Sequence, residues 1–134
     1  MHTPEREAAE LLWHHRCAGT TISGLPEALR PKDTAAGHAI QAEWPRVTGQ
    51  AVVGWKIAAT SAAGQAHINV RGPLPGRILT RFVFALGDAV SLAGNRMRVV
   101  EPEFAFRLWA SVSPSSLCNS PDDAAVGAFR PAGN

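Results

Sequence analysis

The chain has 134 residues, which is enough for one domain with its own hydrophobic core and too few for two. Hydrophobic residues make up 46% of it and charged residues 18%, a balance that excludes an intrinsically disordered protein. The formal net charge is +2, and the basic residues are mostly arginines scattered along the chain rather than gathered in a stripe, which argues against a nucleic-acid partner.

The cysteines and the hydropathy pattern indicate the cellular compartment in which the protein is expected. Cys17 and Cys118 lie far apart and match no metal or redox spacing, so we expect reduced thiols. No stretch approaches the length of a membrane span, and the first residues lack the apolar core of a signal peptide. We therefore expect a cytoplasmic protein with no membrane partner.

A first helix is predicted to begin after Thr3 and to close at Gly19. The Thr3 hydroxyl can cap the free backbone amides, Pro4 is tolerated in the first turn, and glycine is the usual residue just past a helix end. Acidic residues in the first turn favour the same start, because the amino end of a helix is electropositive.

A second helix is predicted from Asp33 or Thr34, either of which can cap it, up to the break imposed by Pro45. His38 and Gln41 lie on its flank. We interpret both as ordinary residues at the boundary between core and solvent.

The segment 51–59 is the clearest predicted strand, since it is almost wholly apolar with β-branched and aromatic residues at its centre. Lys56 is its exception. A lysine in such a strand either extends to an edge or lies in a pocket beside a carboxylate or an anionic ligand, because burying an unpaired ammonium is costly. The strand alone leaves both interpretations open.

The following part of the chain predicts short elements separated by turns. Helices first and short strands afterwards indicate the α+β class. The predicted elements are a helical turn at 61–66, a Gly- and Pro-rich loop at 71–76, strands at 77–85, 90–92 and 97–100, and turns at 87–88 and 94–95.

The segment 101–106 is predicted to be a strand that carries Glu101 and Glu103 on one face and buries its two phenylalanines on the other. The Cα atoms of the two glutamates would lie about 7 Å apart, so that their carboxylates could converge on one hard cation. The alternative is a solvated strand face, with Arg98 and Arg107 as cross-strand partners.

Five short motifs follow one another in the chain, and together they resemble a known family. The motifs are LPEALRP at 25–31, AIQ at 39–41, VGWKIAATS at 53–61, GPL at 72–74 and EPEFAF at 101–106. In order and spacing they are similar to the 2-keto-4-pentenoate hydratase group of the fumarylacetoacetate hydrolase superfamily. The resemblance extends to Leu108 and implies an α+β fold, with N-terminal helices followed by short mixed strands that form the first half of a β-roll.

The resemblance also implies a site and a reaction. It assigns Glu101 and Glu103 as ligands of Mg²⁺ or Mn²⁺, and it assigns Lys56 as the catalytic and substrate-binding lysine. The implied reaction is the hydration of 2-hydroxypenta-2,4-dienoate, or of a related 2-keto-enoic acid, during the degradation of aromatic compounds. The sister activity, 4-oxalocrotonate decarboxylase, fits the same motifs, and the family suggests a homo-oligomer.

Three features depart from the family pattern. Arg71 stands where some members carry an acidic residue. The sequence after Leu108 no longer resembles the usual family sequence. A third acidic metal ligand is expected where the chain has Gly133 and Asn134. We therefore expect residues 1–108 to be the N-terminal portion of a hydratase-like domain, and 109–134 to be a divergent, partly loop segment of a truncated chain. A non-catalytic remnant is the third interpretation.

Overall fold

The structure of the protein is a computed structural model that describes residues 3–97 and 99–107. Its contacts divide the chain into two units, Met1–Asn95 and Arg96–Asn134. The helices and strands of the described residues all belong to the first unit. They are α1 (Pro4–Ala18), α2 (Thr34–Ala42), α3 (Trp44–Thr48), β1 (Val52–Ala58), α4 (Ala62–His67) and β2 (Leu74–Leu79), with 3-10 turns at Glu27–Leu29 and Thr80–Phe82.

Helix α1 has the caps that the sequence predicts. The hydroxyl of Thr3 accepts a hydrogen bond from the Arg6 backbone N–H at 3.3 Å. At the other end Gly19 adopts a left-handed conformation with φ 65°, and its N–H donates to the Arg16 carbonyl at 3.4 Å. Glycine adopts this positive φ without steric cost, so the helix ends where the residue is found.

Helix α2 also begins as predicted, because the Asp33 side chain accepts a hydrogen bond from the Ala36 backbone N–H at 2.7 Å. The helix ends at Ala42, before Pro45. The proline then stands in the first turn of α3, where its missing N–H has no helical partner to lose. Gly49, with φ 67°, closes α3.

The core of the first unit lies where α1 crosses α2. Ala8 and Ala9 are completely buried, and Ile40 is 7% exposed. The small alanine side chains let the two helix backbones approach closely, and the burial of apolar surface there stabilises the pair. The partly buried residues packed against this centre are Leu12, Leu25, Leu29 and Val47.

The two strands form an antiparallel hairpin whose register places Trp55 opposite Arg77 and Lys56 opposite Gly76. An irregularity in the pairing lies between Val52 and Gly54. The burial of β1 alternates, as expected for a strand with two different faces. Its more buried face carries Lys56, whereas Val53, Trp55 and Ile57 are about half exposed on the other.

Helices and an antiparallel sheet together confirm the α+β class. The strand predicted at 51–59 is confirmed as β1, and the helical turn predicted at 61–66 is α4. The turns predicted at 87–88 and 94–95 coincide with positive φ at Gly87 and Gly94. In the described ranges, no helix combines the length and apolar character needed to cross a bilayer.

The prediction for the second strand was wrong in its bounds. It was expected at 77–85, but β2 runs from Leu74 to Leu79 and so begins inside the predicted loop. The chain turns at Thr80 because both its N–H and its hydroxyl donate to the Ala51 carbonyl, at 3.0 and 3.1 Å. These bonds close the open end of the hairpin and start a 3-10 turn.

The strands predicted at 90–92, 97–100 and 101–106 were wrong for the residues that the structure describes. None of those residues is in a strand, and Phe104 and Phe106, expected to be buried, are 99% and 82% exposed. An alternating pattern specifies a strand only where a neighbouring strand takes up its backbone hydrogen bonds. Arg98, Cys118 and the predicted segment 109–134 lie outside the described residues, so the boundary at 108 stays a prediction.

Candidate functional site

Lys56 lies in the middle of β1 on the more buried face of the hairpin, with its own side chain half-buried. Its cross-strand partner is Gly76. A glycine opposite the lysine has no side chain to fill the space above the sheet. The strand therefore holds the lysine stem in a fixed direction while its neighbour leaves room beside it.

Lys56 lines a cavity of about 520 Å³ between helix α2 and the hairpin, which we call the Lys56 cavity. This volume is within the usual range for sites that take a small organic molecule. The walls combine a few polar groups with apolar side chains from both strands. They are formed by Pro31, Asp33, Thr34, Gly37, His38, Gln41, Lys56, Ala58, Val70, Leu74, Pro75 and Gly76.

Helix α2 supplies the polar side of the Lys56 cavity. His38 and Gln41 are three residues apart, so they lie on the same face of the helix. The Gln41 side-chain oxygen accepts a hydrogen bond from the Arg77 backbone N–H at 3.0 Å, which ties α2 to the edge of β2. This bond fixes the orientation of the Gln41 amide, because the oxygen and not the nitrogen must face the backbone N–H.

The groups in this cavity suit an anionic organic ligand. Lys56 provides an ammonium with three donors, and His38 provides a ring that can give or take a proton. Asp33 also lines the cavity, but one of its carboxylate oxygens already caps α2. The structure thus brings the predicted site residue Lys56 together with a histidine and an amide that sequence reasoning interpreted as ordinary boundary residues.

Glu101 and Glu103 belong to the second unit, in a segment at 99–107 that has neither helix nor strand. Both residues are exposed. Carboxylate oxygens are the ligands that Mg²⁺ and Mn²⁺ prefer, and acids two residues apart in a non-helical segment fit such a cation. Among the described residues there is no group of three His, Cys, Asp or Glu side chains that could hold a metal ion. The assignment of the two glutamates as ligands stays a prediction.

One curated relative is similar to most of this chain. The TodF product hydratase of Pseudomonas putida is 29% identical over 115 residues, which is 84% of this chain and 43% of the hydratase. The chain is similar to a hydratase. It spans less than half of that relative's length. No family model matches the chain, and no solved structure matches it.

The matched region contains all three predicted site residues. A match over 84% of a 134-residue chain spans the central positions Lys56, Glu101 and Glu103 wherever it begins. The cavity residues His38 and Gln41 fall in it for the same reason. The sequence analysis interpreted both as boundary residues. Their spacing of three on one helix, and the place of Gln41 in the motif at 39–41, are the signals that could have indicated a shared surface.

Proposed function

We propose that this chain belongs to the 2-keto-4-pentenoate hydratase group and carries the lysine part of its active site. The proposed reaction is the addition of water to 2-hydroxypenta-2,4-dienoate or a related 2-keto-enoic acid in the degradation of aromatic compounds. The observation that carries the proposal is the Lys56 cavity, in which an ammonium and an imidazole line one space of substrate size. The 29% identity to a hydratase supports the same reaction class.

The chemistry requires protons at two carbons and an oxygen at a third. The dienol hydroxyl loses its proton while C5 gains one, which gives a 2-oxo-3-ene. Water then adds at C4, and the proton it releases is balanced by one delivered to C3, to give 4-hydroxy-2-oxopentanoate. Two titratable groups in one cavity suit this sequence, with Lys56 holding the substrate carboxylate or carrying a proton and His38 serving as a second carrier.

A divalent cation is part of this proposal. Glu101 and Glu103 would hold Mg²⁺ or Mn²⁺, and the bound cation would polarise the 2-oxo group of the substrate. The proposal rests on the carboxylate chemistry of the pair and on its resemblance to the family motif. A homo-oligomer is proposed on the same resemblance. The cytoplasmic location expected from the hydropathy pattern stays a proposal.

The test is hydration of 2-hydroxypenta-2,4-dienoate by the full chain with Mg²⁺ present, followed as loss of the dienol absorbance. Replacing Lys56 by Met should lower the rate by about 10²-fold or more, because it removes a proton carrier and an anion contact. Lys32→Met is the matched control, since Lys32 is the other lysine of the chain, is exposed, and does not line the Lys56 cavity. Equal rates in the two variants would contradict the assigned role of Lys56.

The sister decarboxylase predicts a different product from a different substrate. Offered 2-oxohex-3-enedioate with the same cation, a decarboxylase would release carbon dioxide and a hydratase would not. Release of carbon dioxide from 2-oxohex-3-enedioate, without hydration of the dienoate, would show that the decarboxylase is the correct assignment and the hydratase is not. Inactivity on both substrates would favour the non-catalytic interpretation.

A further inference from the structure

A second cavity of about 260 Å³ lies where the end of α1, the junction of α2 and α3, and the end of β2 meet. We call it the arginine cavity. It shares Gln41 and Gly76 with the Lys56 cavity, but it contains neither Lys56 nor His38. It is lined by Arg16, Gln41, Trp44, Gly76, Arg77, Leu79 and Phe82.

The described side chains that line the arginine cavity offer mainly hydrogen-bond donors. The guanidinium group of Arg16 and the indole of Trp44 can only donate. The side-chain oxygen of Gln41 accepts the Arg77 backbone N–H at 3.0 Å, which uses one of its two lone pairs. Among the described residues, no carboxylate lines the cavity. A described lining that is rich in donors and carries a guanidinium but no carboxylate is suited to a negatively charged ligand.

An aromatic ring of the cavity holds the Arg16 guanidinium there without neutralising it. The Arg16 guanidinium carbon lies 4.4 Å from the centre of the Phe82 ring. The Arg77 guanidinium carbon instead lies 4.7 Å from the Trp55 ring, on the exposed face of the hairpin. Such cation–π contacts orient a guanidinium and leave its charge in place. In the part of the chain that the structure describes, neither arginine has a carboxylate within salt-bridge distance.

A third arginine adds to the positive potential beside the cavity. The guanidinium carbon of Arg81 lies 5.5 Å from the Phe82 ring and 5.2 Å from the Trp13 ring. Phe82 therefore contacts two guanidinium groups, of Arg16 and of Arg81. An anion bound beside the two guanidinium groups on Phe82 would lower the repulsion between their positive charges.

We propose that the arginine cavity binds a small organic carboxylate with a flat apolar portion, such as an aromatic or unsaturated acid. The Arg16 guanidinium takes the carboxylate, which its planar fork fits with two parallel hydrogen bonds. Trp44, Leu79 and Phe82 provide the apolar walls for the rest of the ligand. This site is separate from the catalytic one proposed at Lys56.

The probe for this site is sodium benzoate, titrated into the full chain and followed by calorimetry and by tryptophan fluorescence. Arg16→Gln should weaken binding by about tenfold or more, the usual effect of losing a charge-assisted hydrogen bond. Arg46→Gln is the matched control and should leave binding unchanged. Arg46 is 74% exposed, is paired with Glu43 at 3.2 Å, and does not line the cavity.

Three further binding measurements test which cavity benzoate occupies and which of its chemical groups are recognised. Lys56→Met should leave benzoate binding unchanged, which separates this proposal from the hydratase activity. Uncharged benzamide should bind at least tenfold more weakly, because it lacks the charge. Inorganic phosphate should also bind more weakly than benzoate, because it makes no use of the apolar walls.

In the unmodified chain, benzoate should shift the NMR signal of the Trp44 indole N–H, a measurement that does not depend on any variant folding. No saturable binding of benzoate, or an unchanged Trp44 signal, would overturn the proposal. Loss of binding in Lys56→Met rather than in Arg16→Gln would overturn it too, because the probe would then occupy the Lys56 cavity. Phosphate bound as tightly as benzoate would overturn the part that concerns a flat apolar ligand.

Discussion

Glu101 and Glu103 are a pair of acids separated by one residue, and whether they share a cation can be tested on the residues themselves. Replacing both by Gln keeps their size and removes both charges, so affinity for Mn²⁺ should fall by about tenfold or more if they are ligands. Calorimetric titration of the full chain with MnCl₂ measures this directly.

The chain offers a matched control for that pair. Glu5 and Glu7 have the same spacing but stand in the first turn of α1, where alternate residues point in nearly opposite directions. The double change Glu5→Gln and Glu7→Gln should therefore leave Mn²⁺ affinity as it is. If both doubly changed proteins bind Mn²⁺ as the original does, the two glutamates at 101 and 103 are not its ligands.

At the scale of the single element, the cap of α2 decides where the helix that lines both cavities begins. Asp33→Ala should lower the free energy of unfolding by about 1 kcal/mol, because the Ala36 N–H would lose its acceptor. Asp33→Asn keeps a side-chain oxygen there and should cost little. Urea denaturation of the two variants measures the difference. Equal losses of unfolding free energy would show that the charge of Asp33, and not its capping hydrogen bond, stabilises the helix.

Local signals in the sequence predicted the elements whose cause is local. The Thr3 and Asp33 caps, the closing Gly19 and the apolar run of β1 each act within a few residues, and the structure has them where predicted. The strand predicted at 101–106 depended on a neighbour that no local pattern supplies. Its phenylalanines are exposed, because alternation alone provides no surface to pack against.

In the candidate site, too, the local feature was predictable from the sequence and the long-range contact was not. Lys56 stood out in the sequence because an ammonium in an apolar strand needs an explanation. Its cavity could not be predicted, because it exists only where α2 meets the hairpin, and neither element specifies that contact by itself. The Gln41–Arg77 hydrogen bond joins residues 36 positions apart in the sequence, and no motif in the chain predicts such a long-range contact.

At the scale of the whole molecule, apolar side chains on the outer face of β1 predict self-association. Val53, Trp55 and Ile57 are 53%, 52% and 47% exposed on one face of the hairpin. Exposed apolar patches of this kind favour association, because contact removes them from water. Light scattering after gel filtration should give a mass above the 14.2 kDa of one chain, increasing with concentration.

A matched pair of substitutions tests where that association occurs. Ile57→Lys should move the mass towards that of one chain, whereas Ile68→Lys should not. The two isoleucines are equally exposed, at 47%, but Ile68 lies at the end of α4 and not on the sheet face. Equal effects of the two changes would contradict a role for the β1 face.

The side-chain bond from Gln41 to the Arg77 backbone N–H also limits how the sheet can grow. Arg77 is paired with Trp55 on its inner side, so the N–H that Gln41 occupies belongs to the outer edge of β2. A further strand laid along that edge would have to displace the glutamine from its amide. Extension is therefore favoured on the opposite side, beside β1, where the described residues place no further strand.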